Sequence, residues 1–262
     1  MTTAALHVAR TGLDAQSERM RVIANNLANV NTTGFKRDRA SFETLAYQAM
    51  TAPGAASSAE NKYAVGKSLG TGVQMTGTAR IDSQGSLQTT GNSLDLAIEG
   101  NGYFQVTMPD GRIGYTRAGN LALTAEGKLV TEDGMAIVPE ITVPEGSQTI
   151  TIGTDGTVSA TTPGQTAPTE LGKIETARFI NPAGLENLGN NLLGETAASG
   201  TPQTGAAGLD GRGAIRQGAL EGSNVNVVEE LVDMIETQRA YEVNSKMIKS
   251  TDEMLQYVNQ QL

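Results

Sequence analysis

Four places in this sequence carry residue types that can do chemistry: Gly66-Lys67-Ser68, Gly100-Asn101-Gly102, Gly211-Arg212-Gly213 and His7. The first has the closing order of a phosphate-binding loop, in which glycine amides cradle phosphates and a lysine reaches the outer ones. That pattern needs a glycine five positions before Gly66, where Asn61 stands, and a strand leading in, which the small polar residues there do not make. The two Gly-x-Gly pairs lack the third glycine and following helix of a dinucleotide turn, so they read as tight turns. His7 is the one histidine and there is no cysteine. A metal site on it would need carboxylates alone as co-ligands, so a surface or interface residue is the simpler reading. Nucleophilic catalysis would rest on a Ser–Lys or Thr pair and acid–base work on two carboxylates, but the carboxylates are scattered over turns and helix faces. These residues assign no catalytic, cofactor-binding or metal-ligating role.

The elements that would have to position any site are unusual. Leu6, Leu13, Met20 and Leu27 fall seven apart, and so do Val227, Met234, Tyr241, Ile248, Leu255 and Leu262. All eight prolines lie from Pro53 to Pro202, leaving both ends free of the residue that breaks helix interiors. The spacing predicts a helix from Thr3 to about Asn31, weakened at Gly12, with Gly34 as its left-handed exit. A second helix starts at Asn226, which caps it while Glu229 reaches back and Glu230 places charge at the positive end. With no glycine or proline after Gly222 it runs roughly 35 residues, or ~50 Å. A sevenfold stripe keeps one face of a slightly underwound helix turned to a neighbour. The two ends are therefore expected to pair.

Between them the pattern changes. Pro53 to Leu69 is small, polar and aperiodic, and reads as an extended arm. Then come short β-branched runs, Leu94 to Ile98, Tyr103 to Thr107, Ile113 to Arg117, Leu121 to Thr124, Leu129 to Thr131 and Thr149 to Ile152. Turn signals such as Asp110-Gly111, Asp133-Gly134 and Asp155-Gly156 separate them. Such spacing predicts an antiparallel sandwich or barrel. A second polar loop is expected from Thr196 to Gly213. The fold class is thus α+β: long N- and C-terminal helices paired as a coiled-coil-like domain, with an inserted antiparallel β-rich domain and an extended arm. The expected boundaries are 1–31 and 224–262 for the two helices of the core, 32–70 for the connection and arm, and 71–223 for the β-rich domain.

Composition excludes several functions. A net charge of −9 does not suit a nucleic-acid partner. Aromatic content of 4% with no Trp supplies few stacking platforms for sugars or single strands. No run approaches eighteen apolar residues, and the first residues lack the basic and apolar regions of a secretory signal. A polymerising or interacting protein fits better than an enzyme.

The run Ala24-Asn25-Asn26-Leu27-Ala28-Asn29, followed by Asn31-Thr32-Thr33-Gly34-Phe35-Lys36, resembles the N-terminal signature of the bacterial flagellar rod and hook family. Asp95-Leu96-Ala97-Ile98, Tyr115-Thr116-Arg117-Ala118-Gly119, Asn181-Pro182-Ala183-Gly184-Leu185 and Met234-Ile235-Glu236-Thr237-Gln238-Arg239-Ala240-Tyr241 extend the resemblance over essentially the whole chain. Within it, Phe42 to Met50, the polar arm and a Leu171 to Phe179 strand are most similar to the distal-rod branch. The resemblance implies a structural subunit of the distal rod in the basal body, without cofactors, polymerising with itself into a rigid helical tube across the periplasm. Hook or proximal rod subunits of the same family are the alternatives, and a β-rich cell-wall enzyme is a third. Expected partners are proximal rod subunits, the hook protein, periplasmic and outer-membrane ring proteins, the rod cap and the flagellar type III export apparatus. Export is expected without a cleaved signal peptide. The expected subunit interface takes Leu6, Leu13, Met20, Ile23, Leu27 and Val30 from the first helix, with Asn25, Asn26 and Asn29 bonding across subunits. From the second it takes Met234, Gln238, Arg239, Tyr241, Ile248, Leu255 and Leu262. Pro53, Gly54, Ser57, Ser58 and Tyr63 mark the arm that is expected to keep the tube straight.

Overall fold

The computed structural model describes residues 2–54, 63–162 and 167–261. Ser57, Ser58, Leu262 and the side chain of Leu255 lie outside what is described. The chain divides into two compact units: residues 1–27, 38–79 and 226–262 in one, residues 28–37 and 80–225 in the other. The sequence placed the corresponding divisions at 70/71 and 223/224.

The first unit holds α1 (Thr2–Ala28), β1 (Asp38–Thr44), β2 (Tyr47–Thr51), β3 (Lys67–Gly70), β4 (Val73–Arg80) and α2 (Val227–Gln261). α2 is 35 residues long. The Asn226 side-chain oxygen accepts the Val228 N–H at 3.1 Å, which caps the first turn as expected. α1 stops at Ala28 rather than near Asn31, and the chain turns through Thr32 N–H to Asn29 carbonyl, 3.1 Å. β1 pairs with β4. β2 and β3 form an antiparallel hairpin with Tyr47 opposite Gly70 and Gln48 opposite Leu69. The expected arm is therefore partly strand: Lys67 to Leu69 lie in β3, and the Gly54 N–H donates across to the Tyr63 carbonyl at 2.9 Å.

Among its described residues the second unit holds the strands β5 (Leu87–Thr89), β6 (Leu96–Glu99), β7 (Tyr103–Thr107), β8 (Ile113–Thr116), β9 (Leu121–Leu123), β10 (Leu129–Thr131), β11 (Thr149–Ile152), β12 (Thr157–Thr161), β13 (Thr169–Lys173), β14 (Glu175–Arg178), β15 (Glu186–Gly189), β16 (Leu192–Gly194), β17 (Gln203–Ala206), β18 (Ala214–Gln217) and β19 (Ala219–Glu221). A six-stranded sheet runs β15-β16-β8-β7-β14-β17 and a three-stranded one β11-β12-β13. β6 pairs with β18, β5 with β19 and β9 with β10, all antiparallel. Alternation along β7 explains the two cores. Phe104 and Val106 join Leu96, Ile98, Ile137 and Ile174 in one cluster, while Tyr103 joins Tyr115, Ala177, Phe179, Leu185 and Leu193 in another. Tyr115 meets Phe179 edge to face, with ring centroids 4.8 Å apart.

Two expectations change here. The Leu171 to Phe179 strand is split at Ile174, which is fully buried: its N–H donates to the Gly156 carbonyl at 2.8 Å, extending the β12–β13 pairing, and from Glu175 the chain passes to β7 and β17 as β14. The Thr196 to Gly213 loop contains β17, whose four residues pair with β14.

Candidate assembly site

In the first unit polar contacts join α1 to α2. Arg19 Nη2 lies 3.2 Å from Asp233 Oδ1. A Cβ on Gly12 would meet Asn244 Nδ2 at 3.0 Å, so the Asn244 side chain packs directly over this glycine. Asn26 makes a more demanding contact. Its amide nitrogen donates to the Asp38 carbonyl at 2.9 Å and to Glu230 Oε2 at 3.2 Å, and its oxygen accepts the Asp38 N–H at 3.0 Å. Partners descend along α2 as they ascend along α1, so the helices run antiparallel.

The sequence-predicted residues fall into three groups. Ile23 and Asn26 are buried. Leu6, Leu13, Met20, Leu27, Asn29, Val30, Met234 and Ile248 are half-buried, and Asn25, Gln238, Arg239 and Tyr241 are exposed. Pro53, Gly54 and Tyr63 are exposed at the hairpin loop. The contact line thus runs one position before the predicted α1 stripe, through Gly12, Arg19 and Asn26. Asn26 uses its amide within the chain. Sequence reasoning read Glu230 only as charge at the helix start and gave Thr237 no contact, yet both are buried on α2; polar residues at such positions give no hydropathy signal. It also missed the exposed apolar row Val228, Val232 and Ile235, whose spacing of four and three was legible.

In the second unit the Asn31 to Arg37 segment is held by buried charge. Lys36 Nζ lies 2.6 Å from Glu221 Oε1 and donates to the Ser83 carbonyl at 2.7 Å. Arg117 stands 3.2 Å from Glu221 Oε2 and donates to the Ile98 and Gly100 carbonyls at 3.2 and 2.7 Å. The Gly85 N–H adds a bond to Glu221 Oε1 at 3.0 Å. Burial pushes the Lys36 ammonium below its ordinary pKa; the hydrogen bond to Glu221 opposes that shift and Arg117 reinforces it. Gly34, expected as a helix exit, serves this contact instead. Its φ is +70°, its N–H donates to the Glu221 carbonyl at 2.8 Å, and a Cβ would sit 2.7 Å from the Arg117 carbonyl carbon. Asn224 closes the segment from the other side, accepting the Arg37 N–H at 2.7 Å and donating to the Ile81 carbonyl at 2.8 Å.

The remaining chemistry-bearing residues stay apart. His7 is exposed on α1, and among the described residues no three metal-ligating side chains come together. Lys67 and Ser68 lie in β3 with no helix after them, and Gly66 packs against the Pro53 ring.

Residues 6–36 match the model of the flagella basal body rod protein, 97–160 that of the flagellar hook protein FlgE/F/G D1 domain, and 216–261 that of the flagellar basal body rod FlgEFG protein C-terminal region. Over 255 residues the chain is 52% identical to the flagellar basal-body rod protein FlgG of Buchnera aphidicola from Schizaphis graminum, covering 97% of this chain and 98% of that one. The chain belongs to the flagellar basal-body rod protein family. Rod proteins FlgG of Borreliella burgdorferi and Bacillus subtilis are 45% and 39% identical, over 97% and 94% of each chain. This is a family of rod proteins, not of enzymes. The N-terminal rod match contains both Asn26 and Lys36, and the C-terminal match contains Glu230 and Glu221. Each buried polar pair therefore ties one rod-family segment to the other.

Proposed function

We propose that the chain is a structural subunit of the distal flagellar rod, polymerising into a rigid helical tube that transmits torque from motor to hook. The observation that carries this reading is end-to-end similarity to rod proteins at 45–52% identity. A helix of 35 residues with a long apolar row left in water suits a protein whose partners are further copies of itself. In this reading residues 1–31 and 224–262 pair in a coiled-coil-like manner and form the polymerising core, while residues 71–223 face outward. The hairpin loop around Pro53, Gly54 and Tyr63 is the straightening arm. Its neighbours in the basal body are proximal rod subunits, the hook protein, the ring proteins and the rod cap. The chain reaches them across the periplasm through the type III export apparatus, without a cleaved signal peptide.

The deciding experiment is electron microscopy of basal bodies from a strain lacking the gene, with and without an epitope-tagged copy. Rods should stop short without it and carry the tag at their distal part when it is restored. A tag confined to the hook or the proximal rod, or rods of full length in the deletion strain, would overturn the assignment.

A further inference from the structure

The last strands of the β-rich unit are bonded to its first. β18 runs antiparallel to β6 with Ile215 opposite Ile98, and β19 to β5 with Leu220 opposite Gln88. Among the described residues β5 and β6 share a ladder with no other strand. Around these ladders residues 213–224 bond to parts of the unit that lie far apart in sequence. The Gly213 N–H donates to the Asn101 carbonyl at 2.6 Å and the Ile215 N–H to the Thr154 carbonyl at 3.0 Å. The Gln217 side chain accepts the Ile152 N–H at 3.1 Å and donates to the Ser93 and Ile150 carbonyls at 2.7 and 2.9 Å. Further on, the Gly222 N–H reaches the Ser86 carbonyl at 2.8 Å. Ile215 is buried in the same apolar cluster as Leu96, Ile98 and Phe104. Glu221 is the counter-charge of both Lys36 and Arg117.

We infer that residues 213–224 are a closing strap: the β-rich unit has no stable folded form until this segment is laid across it, so the chain stays open until it is almost complete. Without the strap two buried cations lose their acid, and stranding even one buried charge removes a large share of the marginal stability of a domain. β5 and β6 lose their ladder partners at the same time, and the apolar cluster loses Ile215. Pairing the first strands with the last also carries the entropy of closing the whole intervening chain, which only the completed set of contacts offsets. Synthesis delivers the strap late, with the 35 residues of α2 alone still to follow it closely. The nascent chain therefore leaves the ribosome without a finished β unit and is still extended for the export proposed above. The folding order itself does not depend on that use.

Native-state hydrogen exchange on the full-length chain, at urea concentrations below its unfolding transition, tests the strap directly. If the unit has no folded form without it, the amides of β18 and β19 open only together with those of β7 and β8, with one rate and one urea dependence. Ile215→Ala should then speed exchange in β7 and β8 by the same factor as in the strap, roughly tenfold or more. Pulsed exchange during refolding from urea gives the order of events: β7 and β8 should gain protection at the same rate as β5, β6, β18 and β19. Strap amides that exchange through a cheaper opening while β7 and β8 stay protected would overturn the inference. So would an Ile215→Ala effect confined to the strap, or protection of β7 and β8 well before β18 and β19 in refolding. None of these outcomes bears on whether the chain builds a rod, which the basal-body experiment decides.

Discussion

Lys36 and Glu221, 185 residues apart in sequence, meet at 2.6 Å with side chains 3% and 0% exposed. Arg117 shares the same carboxylate, so one acid balances two buried cations. Removing one partner of a buried pair strands the other without water or counter-charge. Glu221→Gln should therefore cost about 3–5 kcal/mol. Lys36→Met leaves Arg117 beside Glu221 and should cost less, about 1–3 kcal/mol. Urea unfolding followed by tyrosine fluorescence, which reports the Tyr103 and Tyr115 core, measures both. Equal losses would show that Arg117 does not share the carboxylate.

Asn26 makes the corresponding contact in the helical unit. Its carboxamide pairs with the backbone of Asp38 as a strand would, and the remaining amide hydrogen goes to the buried Glu230. Asn26→Leu keeps the volume and removes all three bonds, so it should lower stability by about 2–4 kcal/mol. Asn26→Asp places a second carboxylate against Glu230 and should cost more at pH 7 than at pH 4. Circular dichroism at 222 nm under urea checks the order, and an Asn26→Asp variant insensitive to pH would refute the contact.

Much of the fold was legible because local rules and the fold agree. The Tyr103 to Thr107 and Thr149 to Ile152 runs became β7 and β11 unaltered. Asp110-Gly111 and Asp155-Gly156 turn with their glycines at φ +83° and +89°. Asn226 caps α2 where its residue type required. What stayed hidden depends on contacts between distant segments. Ile174 reads as the middle of one strand, but the chain leaves β12 there and pairs with β7 and β17 from Glu175 onward. Lys36, Arg117 and Glu221 look like surface charges in any local window, since hydropathy carries no information about a partner 185 positions away. The sevenfold α1 stripe was visible, yet the contact line lies one residue earlier, because Arg19 and Asn26 find polar partners on α2 in Asp233 and Glu230 and the Asn244 side chain packs over Gly12.

The tyrosine core makes the β-rich unit sensitive to alkali. Burial, with the Glu195 carboxylate adding to it, pushes the Tyr115 hydroxyl up to about 12. Burial, with Asp82 beside it, raises Tyr103 as well. An unfolded tyrosine loses its proton near pH ~10, so above that the unfolded chain sheds protons that the folded one keeps. The stabilisation is whole below pH ~10 and drains away as pH climbs towards ~12, by roughly 2–3 kcal/mol for Tyr115. Thermal melts between pH 9 and 12 should show this, and Tyr115→Phe should make the decline shallower. A decline as steep in Tyr115→Phe as in the unmodified chain would rule the cause out.

Leu27 and Ile248 are half-buried, one on each helix. Aspartate at either forfeits up to ~1.5–3 kcal/mol of apolar burial, and more where a neighbouring copy completes the cover. Leu27→Asp and Ile248→Asp should therefore be exported yet fail to build rods. Basal bodies with rods of normal length from either variant would show that these rows are not part of the assembled wall.

The hairpin loop offers the most specific test of rigidity. Deleting residues 52–69 would remove β3 and leave β2 without its partner, so it would disturb more than the loop. Gly54 and Tyr63 already face each other through a 2.9 Å hydrogen bond. Replacing residues 55–62 with Asn-Gly closes the hairpin in a turn suited to the twist of its strands and keeps the β2–β3 ladder. If the loop packs between neighbouring copies, the shortened chain should still polymerise but give a shaft that bends, because a contact restraining adjacent subunits is gone while the helical seams remain. Persistence length measured on electron micrographs of the two shafts decides the matter. Equal stiffness would mean that straightness resides in the helical core, where the fixed antiparallel pairing of α1 and α2 through Arg19 and Asp233 is the next element to alter.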